Sequence, residues 1–154
     1  SSAVALTGIS SIAVGESVIF TETSVAASFL STWFGAAGKP GLQIGTYSGS
    51  GVGLSTSGDA VNIYNGSGVL QANVIFGNSD SVSPYQSFDN SAGLNNVTIS
   101  QLSVVGTNGA FVALNDAAEI GSPGSIAAVP EPANLAMLLA GLGLIGVITR
   151  KRLS

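Results

Sequence analysis

DAVNIYNGSGVLQANVIF, residues 59–76, is the stretch on which the fold turns. Asp59 to Tyr64 alternates between apolar and polar side chains, the two-residue period of a half-buried strand. Asn65-Gly66-Ser67-Gly68 is turn chemistry, rich in residues that accept positive φ or bond their own backbone. Val69 to Phe76 then returns with Leu70, Val74 and Phe76 on one parity. Two β-prone runs joined by four turn residues specify a hairpin.

Upstream, Gly15 and Glu16 lead into Val18-Ile19-Phe20-Thr21, a β-branched and aromatic run that reads as a strand. The period then changes. Following Thr23 or Ser24 as N-cap, apolar residues fall at Ala26, Phe29, Leu30, Trp33 and Phe34, which is helical spacing. Gly35 to Pro40 ends the helix, and the stripe of Phe29, Trp33 and Phe34 is expected to pack on the core. Leu42 to Tyr47 reads as a further strand and Ser48 to Gly58 as a Gly/Ser loop. Downstream, Asn78 to Asn96 is polar, with Pro84 and two aromatics, Tyr85 and Phe88, that look exposed. A second hairpin is expected from Thr98–Val105 and Ala110–Leu114 around Gly106–Gly109, and Gly121 to Ala128 reads as a linker. The elements add up to an all-β fold: an antiparallel domain, most simply a sandwich, with one short inserted helix.

The last 26 residues, VPEPANLAMLLAGLGLIGVITRKRLS, obey other rules. Pro130, Glu131 and Pro132 impose extended backbone before a helix, because the residue preceding proline avoids helical φ/ψ. Pro132 fits the first turn, where its missing N–H costs nothing, and the Glu131 charge complements the helix dipole. Ala133 to Thr149 carries no charge, and its 17 residues span ~26 Å as a helix, close to a ~30 Å hydrocarbon core. Arg150, Lys151 and Arg152 come next, able to snorkel and to place that end in the cytoplasm. The expected organisation is a β domain over 1–122, a flexible linker over 123–129 and an export-and-anchor signal over 130–152, with a transmembrane helix at 133–149.

Triplet, apolar span and basic tail in that order resemble the PEP-CTERM sorting signal of exopolysaccharide-producing Gram-negative bacteria. The resemblance implies that an exosortase, a membrane transpeptidase-like enzyme, processes the chain near Pro130-Glu131-Pro132. The chain would be the cargo of sorting. It would stand in the inner membrane with its N-terminal side outside the cytoplasm, then reach the cell surface or extracellular matrix.

A second resemblance lies in the body. Ile12-Ala13-Val14-Gly15-Glu16-Ser17-Val18-Ile19-Phe20 and the later Gly58-Asp59-Ala60-Val61-Asn62-Ile63-Tyr64-Asn65, Gly68-Val69-Leu70 and Val74-Ile75-Phe76-Gly77 are similar to the lamin-tail domain. That family implies an immunoglobulin-like antiparallel sandwich, with a short helix between the two blocks in its bacterial members. It also implies a binding or structural role without shared catalysis. Val14 stands where the family commonly has proline, and the family's opening strands are absent. The chain starts at Ser1 without methionine or leader, so either processing removed the start or the sequence is a fragment, and the missing strands favour the fragment. Such a sandwich is expected to leave an edge or an apolar face uncovered.

Composition narrows the function classes. With no Cys and no His, Ser-His, Cys-His and ordinary zinc sites are unavailable. Residues 1–129 carry seven acids against one base, Lys39, a net charge of −6 that gives no footprint for nucleic acid. A Ser–Lys pair at Lys39 is weaker than its reading as a solvated loop lysine, and Glu16 and Glu22 would lie ~20 Å apart along a strand, beyond glycosidase spacing. Asp80, Asp89 and Asp116 fit no calcium loop and read as solvated acids. Asn65 and Asn96 head glycosylation-like triplets that read as turn and strand residues, and the GxGxxG of Gly141 to Gly146 falls inside the apolar span. The expected role is thus non-catalytic, without cofactor or metal. Its partners would be exosortase, the lipid bilayer, and exopolysaccharide or other surface proteins. The alternatives are a permanently anchored binding protein without processing and a carboxylate- or serine-based extracellular hydrolase.

Overall fold

The computed structural model describes residues 3–49, 52–79, 81–91 and 98–126. It is built mostly of strands, with one short helix. In chain order these are β1 (Val18–Glu22), α1 (Ala26–Phe34), β2 (Gln43–Tyr47), β3 (Asp59–Tyr64), β4 (Leu70–Phe76), β5 (Tyr85–Gln86), β6 (Phe111–Ala113) and β7 (Asp116–Gly121). A 3-10 turn, Gly35–Ala37, extends the helix. The strands form two pairs, β1–β2 and β3–β4, and a three-stranded sheet of order β5-β7-β6.

The expected antiparallel arrangement holds for β3–β4 and β6–β7 and fails elsewhere: β1 and β2 are parallel, as are β5 and β7. The helix is the reason for the first exception. A crossover helix carries the chain back to the end at which β1 began, so β2 runs beside it in the same direction. Thr7 closes the other edge of β2 through paired 2.9 Å backbone bonds with Thr46.

The helix starts later than the Thr23 or Ser24 cap implies. Its N-cap is Val25, with no side-chain cap bond, because Thr23 donates both its amide and its hydroxyl to the Tyr47 carbonyl at the end of β2. The C-terminal end is better served. Asn115 donates its amide to Thr32 O at 2.9 Å and its side chain to Ser31 O at 2.8 Å, while Leu114 N reaches Trp33 O at 3.3 Å. The Thr32 and Trp33 carbonyls, of the kind a helix end leaves open, are thereby covered by the turn between β6 and β7, more than 80 residues along the chain, while Ser31 O also takes the Gly35 amide. Gly35 terminates the helix at φ 64°, ψ −160°.

The core lies between α1 and the three-stranded sheet. Trp33 meets Phe111 edge-on at 5.6 Å, Phe34 meets the same ring at 5.9 Å and Phe29 flanks Trp33 at 6.1 Å. The aromatic stripe therefore packs as its spacing predicts. A second contact joins Phe76 at the end of β4 to Phe88 at 5.4 Å, so Phe88 is half-buried and only Tyr85 of that aromatic pair is exposed. The expected second hairpin is also corrected. Thr98–Val105 forms single bridges, Ile99 to Phe76 and Leu102 to Phe88, and β6 pairs with β7. Asp116, Ala117, Ala118 and Glu119 are poor strand formers, and cross-strand packing overrides their propensity.

Candidate functional site

Outside the aromatic core, three features of the body bear on function. The first is the β3–β4 hairpin. Its register pairs Asn62 with Asn73 and Ala60 with Ile75. The Ile75 carbonyl accepts from Ile99 N at 2.8 Å, so Ile75 turns its backbone away from β3. Backbone direction alternates along an antiparallel strand, so Ala60 and Asn62 also face outwards, on the open edge of β3. Asp59 Oδ1 takes the Ala60 amide at 2.8 Å, whereas β3 has no strand beyond it among the described residues. Asn73 donates to Asn62 Oδ1 across one face at 2.6 Å. Around this edge Tyr64, Val69, Leu70, Val74 and Ile75 are exposed. The turn forms as its composition predicts: Asn65 Oδ1 accepts from Ser67 N at 3.0 Å and Val69 N at 2.9 Å, so Asn65 is a turn residue.

The second feature is a buried carboxylate that the sequence reading placed in solvent. Asp89 is 2% exposed. It accepts the Ser91 amide at 2.8 Å and hydroxyl at 2.5 Å, and Asn108 Nδ2 reaches its two oxygens at 3.0 and 3.2 Å. Asn108 sits at φ 47°, next to a glycine in the left-handed region, in the turn preceding β6. The Ser91 hydroxyl, then the Ser91 amide and Asn108, hold the Asp89 carboxyl below its ordinary range despite its burial. Bonded to Ser91 and Asn108, it braces two loops. Asp116 likewise caps the Ala118 amide at 2.9 Å, and Asp80 lies outside the described residues. Among the described residues no three His, Cys, Asp or Glu side chains gather as a metal-binding group.

The third feature is the exit from the body. Lys39 is not a solvated loop lysine. Its Nζ donates to Gly124 O at 2.7 Å and lies 3.5 Å from Pro123 O, with the ammonium 5.6 Å from the centre of the Phe34 ring. Asn90 Nδ2 reaches Ser125 O at 3.3 Å. The chain leaving β7 is thus tied to the body at least as far as Ser125. The acceptors that Lys39 meets here are backbone carbonyl oxygens, so the ammonium is engaged by the exit segment and not by a serine hydroxyl.

Beyond Ile126 lie the residues singled out as a sorting signal: Pro130, Glu131, Pro132, the apolar run 133–149 and Arg150, Lys151 and Arg152. All are outside the described residues, as is Asn96. Among the described residues no helix is long and apolar enough to cross a membrane. Residues 128–152 match the family described as the PEP-CTERM protein-sorting motif. The chain carries a PEP-CTERM sorting signal. No curated protein and no solved structure matches the chain.

A PEP-CTERM signal implies a secreted, surface-directed protein and supports exosortase-dependent sorting. The match begins three residues after Ser125, the last residue whose carbonyl is bonded to Asn90. The exit clamp and the PEP-CTERM signal are consequently near neighbours in the chain. Lys39 was legible as the body's single base, but its partners are backbone atoms about 85 positions away, which no local pattern announces.

Proposed function

We propose that this PEP-CTERM protein is cargo: anchored by a transmembrane helix at 133–149, with Arg150, Lys151 and Arg152 on the cytoplasmic side, and processed by exosortase near Pro130-Glu131-Pro132. Its β body then serves at the cell surface or in the extracellular matrix as a non-catalytic binding or structural module. The family match at 128–152 supports the sorting half of this reading. The observation that carries the other half is the β3–β4 hairpin, whose outer edge and apolar side chains are open to an extended partner. A two-stranded hairpin is marginal alone, and adding a strand supplies backbone bonds as well as apolar contact. A lamin-tail-related body fits the order of these elements, while the parallel β1–β2 and β5–β7 pairs depart from an immunoglobulin-like antiparallel sandwich. The two sequence blocks behind that resemblance form β1 and the hairpin, with α1 between them.

Two measurements test the reading. In cells with exosortase, mass spectrometry of the mature protein is expected to find Ala133 to Ser154 removed. Replacing Pro130, Glu131 and Pro132 by alanine is expected to leave them in place, and unchanged trimming of that variant refutes the role of the triplet. For the body, Asn62→Pro deletes an outward amide without removing a β3–β4 ladder bond. It should weaken retention of the protein in surface material, and wild-type retention refutes the edge as the binding element.

A further inference from the structure

The exit segment is built to dock. Gly124 stands at φ 66°, and a Cβ there would come within 2.9 Å of Leu42 Cδ1 and 3.1 Å of Lys39 Nζ. Only glycine fits both the conformation and the gap. On one side of it Ser125 N bonds Ser122 O at 3.1 Å, closing a tight turn, and on the other Pro123 and Ser122 border a depression floored by Phe29 and Trp33. Lysine and asparagine side chains from two separate segments converge on three consecutive carbonyls, those of Pro123, Gly124 and Ser125. The Lys39 ammonium also lies over the Phe34 ring, 5.6 Å from its centre, which favours its position beside the segment.

The clamp sits close to the sorting signal, and that closeness limits how far the two can separate. From Gly124, whose carbonyl Lys39 holds, to Pro130 is six residues, a chain length of at most roughly 20 Å. Were the segment released back to Gly121, the end of β7, nine residues would intervene and the reach would be roughly 31 Å. We propose that Lys39 is a positioning residue for processing: its clamp on Gly124 shortens the tether and keeps the folded body against the site where the triplet must be engaged. The inference rests on the sorting reading and adds a control on it. A body held so near obstructs an enzyme that works at the membrane surface, and the body's net negative charge adds repulsion from anionic lipid. Opening the clamp therefore precedes engagement of the triplet, and the charge-assisted Lys39–Gly124 hydrogen bond, shorter than the Asn90–Ser125 bond beside it, contributes most to how often it opens.

The test uses the full chain in cells that process it, with pulse-labelled cleavage as the readout. Lys39→Met keeps an unbranched side chain of similar length and removes the donor. It is expected to raise the cleavage rate up to about tenfold, the population factor for losing one charged hydrogen bond. Lys39→Arg should stay close to wild type. Gly124→Ala, which crowds Leu42 and the Lys39 ammonium and strains the backbone at φ 66° while leaving the lysine in the chain, should match Lys39→Met. A four-residue Gly-Ser spacer between Ile126 and Ala127 should also accelerate cleavage, and Lys39→Met should add little once the spacer is present. That last comparison separates tether length from simple loosening of the body. A rate in Lys39→Met that is unchanged or lower overturns the inference, as does an effect that multiplies fully with that of the spacer. If the triple-alanine variant of Pro130, Glu131 and Pro132 is trimmed like wild type, the sorting reading itself has failed. If that variant is blocked while Lys39→Met and Gly124→Ala cleave at the wild-type rate, only the clamp has failed.

Discussion

Replacing Gly35 by alanine tests how the helix hands over to the rest of the body. Two separate penalties meet at this residue. Its backbone, at φ 64° and ψ −160°, lies in a region reached almost only by glycine, where another residue costs about 1–3 kcal/mol. Its missing side chain leaves room for Leu114, whose Cδ2 would stand 2.6 Å from a new Cβ. Leu114 is 70% exposed, so its side chain can swing into solvent and the contact is relieved cheaply. The backbone term therefore dominates, and Gly35→Ala should cost about 2 kcal/mol. At about 3 °C per kcal/mol for a chain of this size, thermal unfolding of the protein in mild detergent should fall by about 6 °C. The double variant Gly35→Ala/Leu114→Ala separates the two causes. If strain dominates, removing the leucine recovers almost nothing; if it restores most of the lost stability, the reasoning from φ and ψ is refuted. A loss below about 0.5 kcal/mol, the range of ordinary surface changes, refutes it as well.

The same geometry sets other expectations. Trp33→Ala empties the centre of the aromatic cluster and should cost about 3–5 kcal/mol in urea unfolding. Asp89→Ala leaves the Ser91 amide and Asn108 Nδ2 without their acceptor in a buried site, an expected loss of about 3 kcal/mol by the same assay, with Asp89→Asn recovering only part of it. Acid should destabilise the fold. The Gln43 side chain and Ala13 amide hold Glu16 low, the Ala60 and Ser55 amides hold Asp59 low, and Ser91 with Asn108 holds Asp89 low. Each folded pKa lies below its unfolded value. The stability it contributes is complete above about pH 4.5 and is lost as pH falls through the folded values. Urea midpoints measured from pH 6 down to pH 3 should therefore decline, and a flat profile would remove these carboxylates from the account.

Which parts could be read in advance depends on how far apart the interacting residues lie. The β3–β4 hairpin and the helix were legible because strand alternation, the Asn-Gly turn and the Phe29–Trp33–Phe34 stripe are local patterns. The PEP-CTERM signal was legible for a similar reason, since proline triplet, apolar run and basic cluster sit in one continuous stretch. Partner choice was not. That β6 joins β7 in place of the segment after Thr98, and that β5 lies parallel to β7, are decided by packing against α1 and Phe88. Burial of Asp89 was hidden because Asn108, 19 positions away, is needed to hold its carboxylate. Lys39 was misjudged for a matching reason: beside Pro40 it looks like a loop residue until the carbonyls of Pro123 and Gly124 arrive.

The cap on α1 also imposes an order of events on a chain that emerges N-terminus first. Strand β1, the helix and β2 can gather early, yet the Thr32 and Trp33 carbonyls wait for the amides of Asn115 and Leu114. Phe111, which wedges between Trp33 and Phe34, comes just as late. Vectorial emergence therefore delivers the stabilising pieces of the body last. Until then the N-terminal half lacks these partners, and its final tightening waits for residues 111–115.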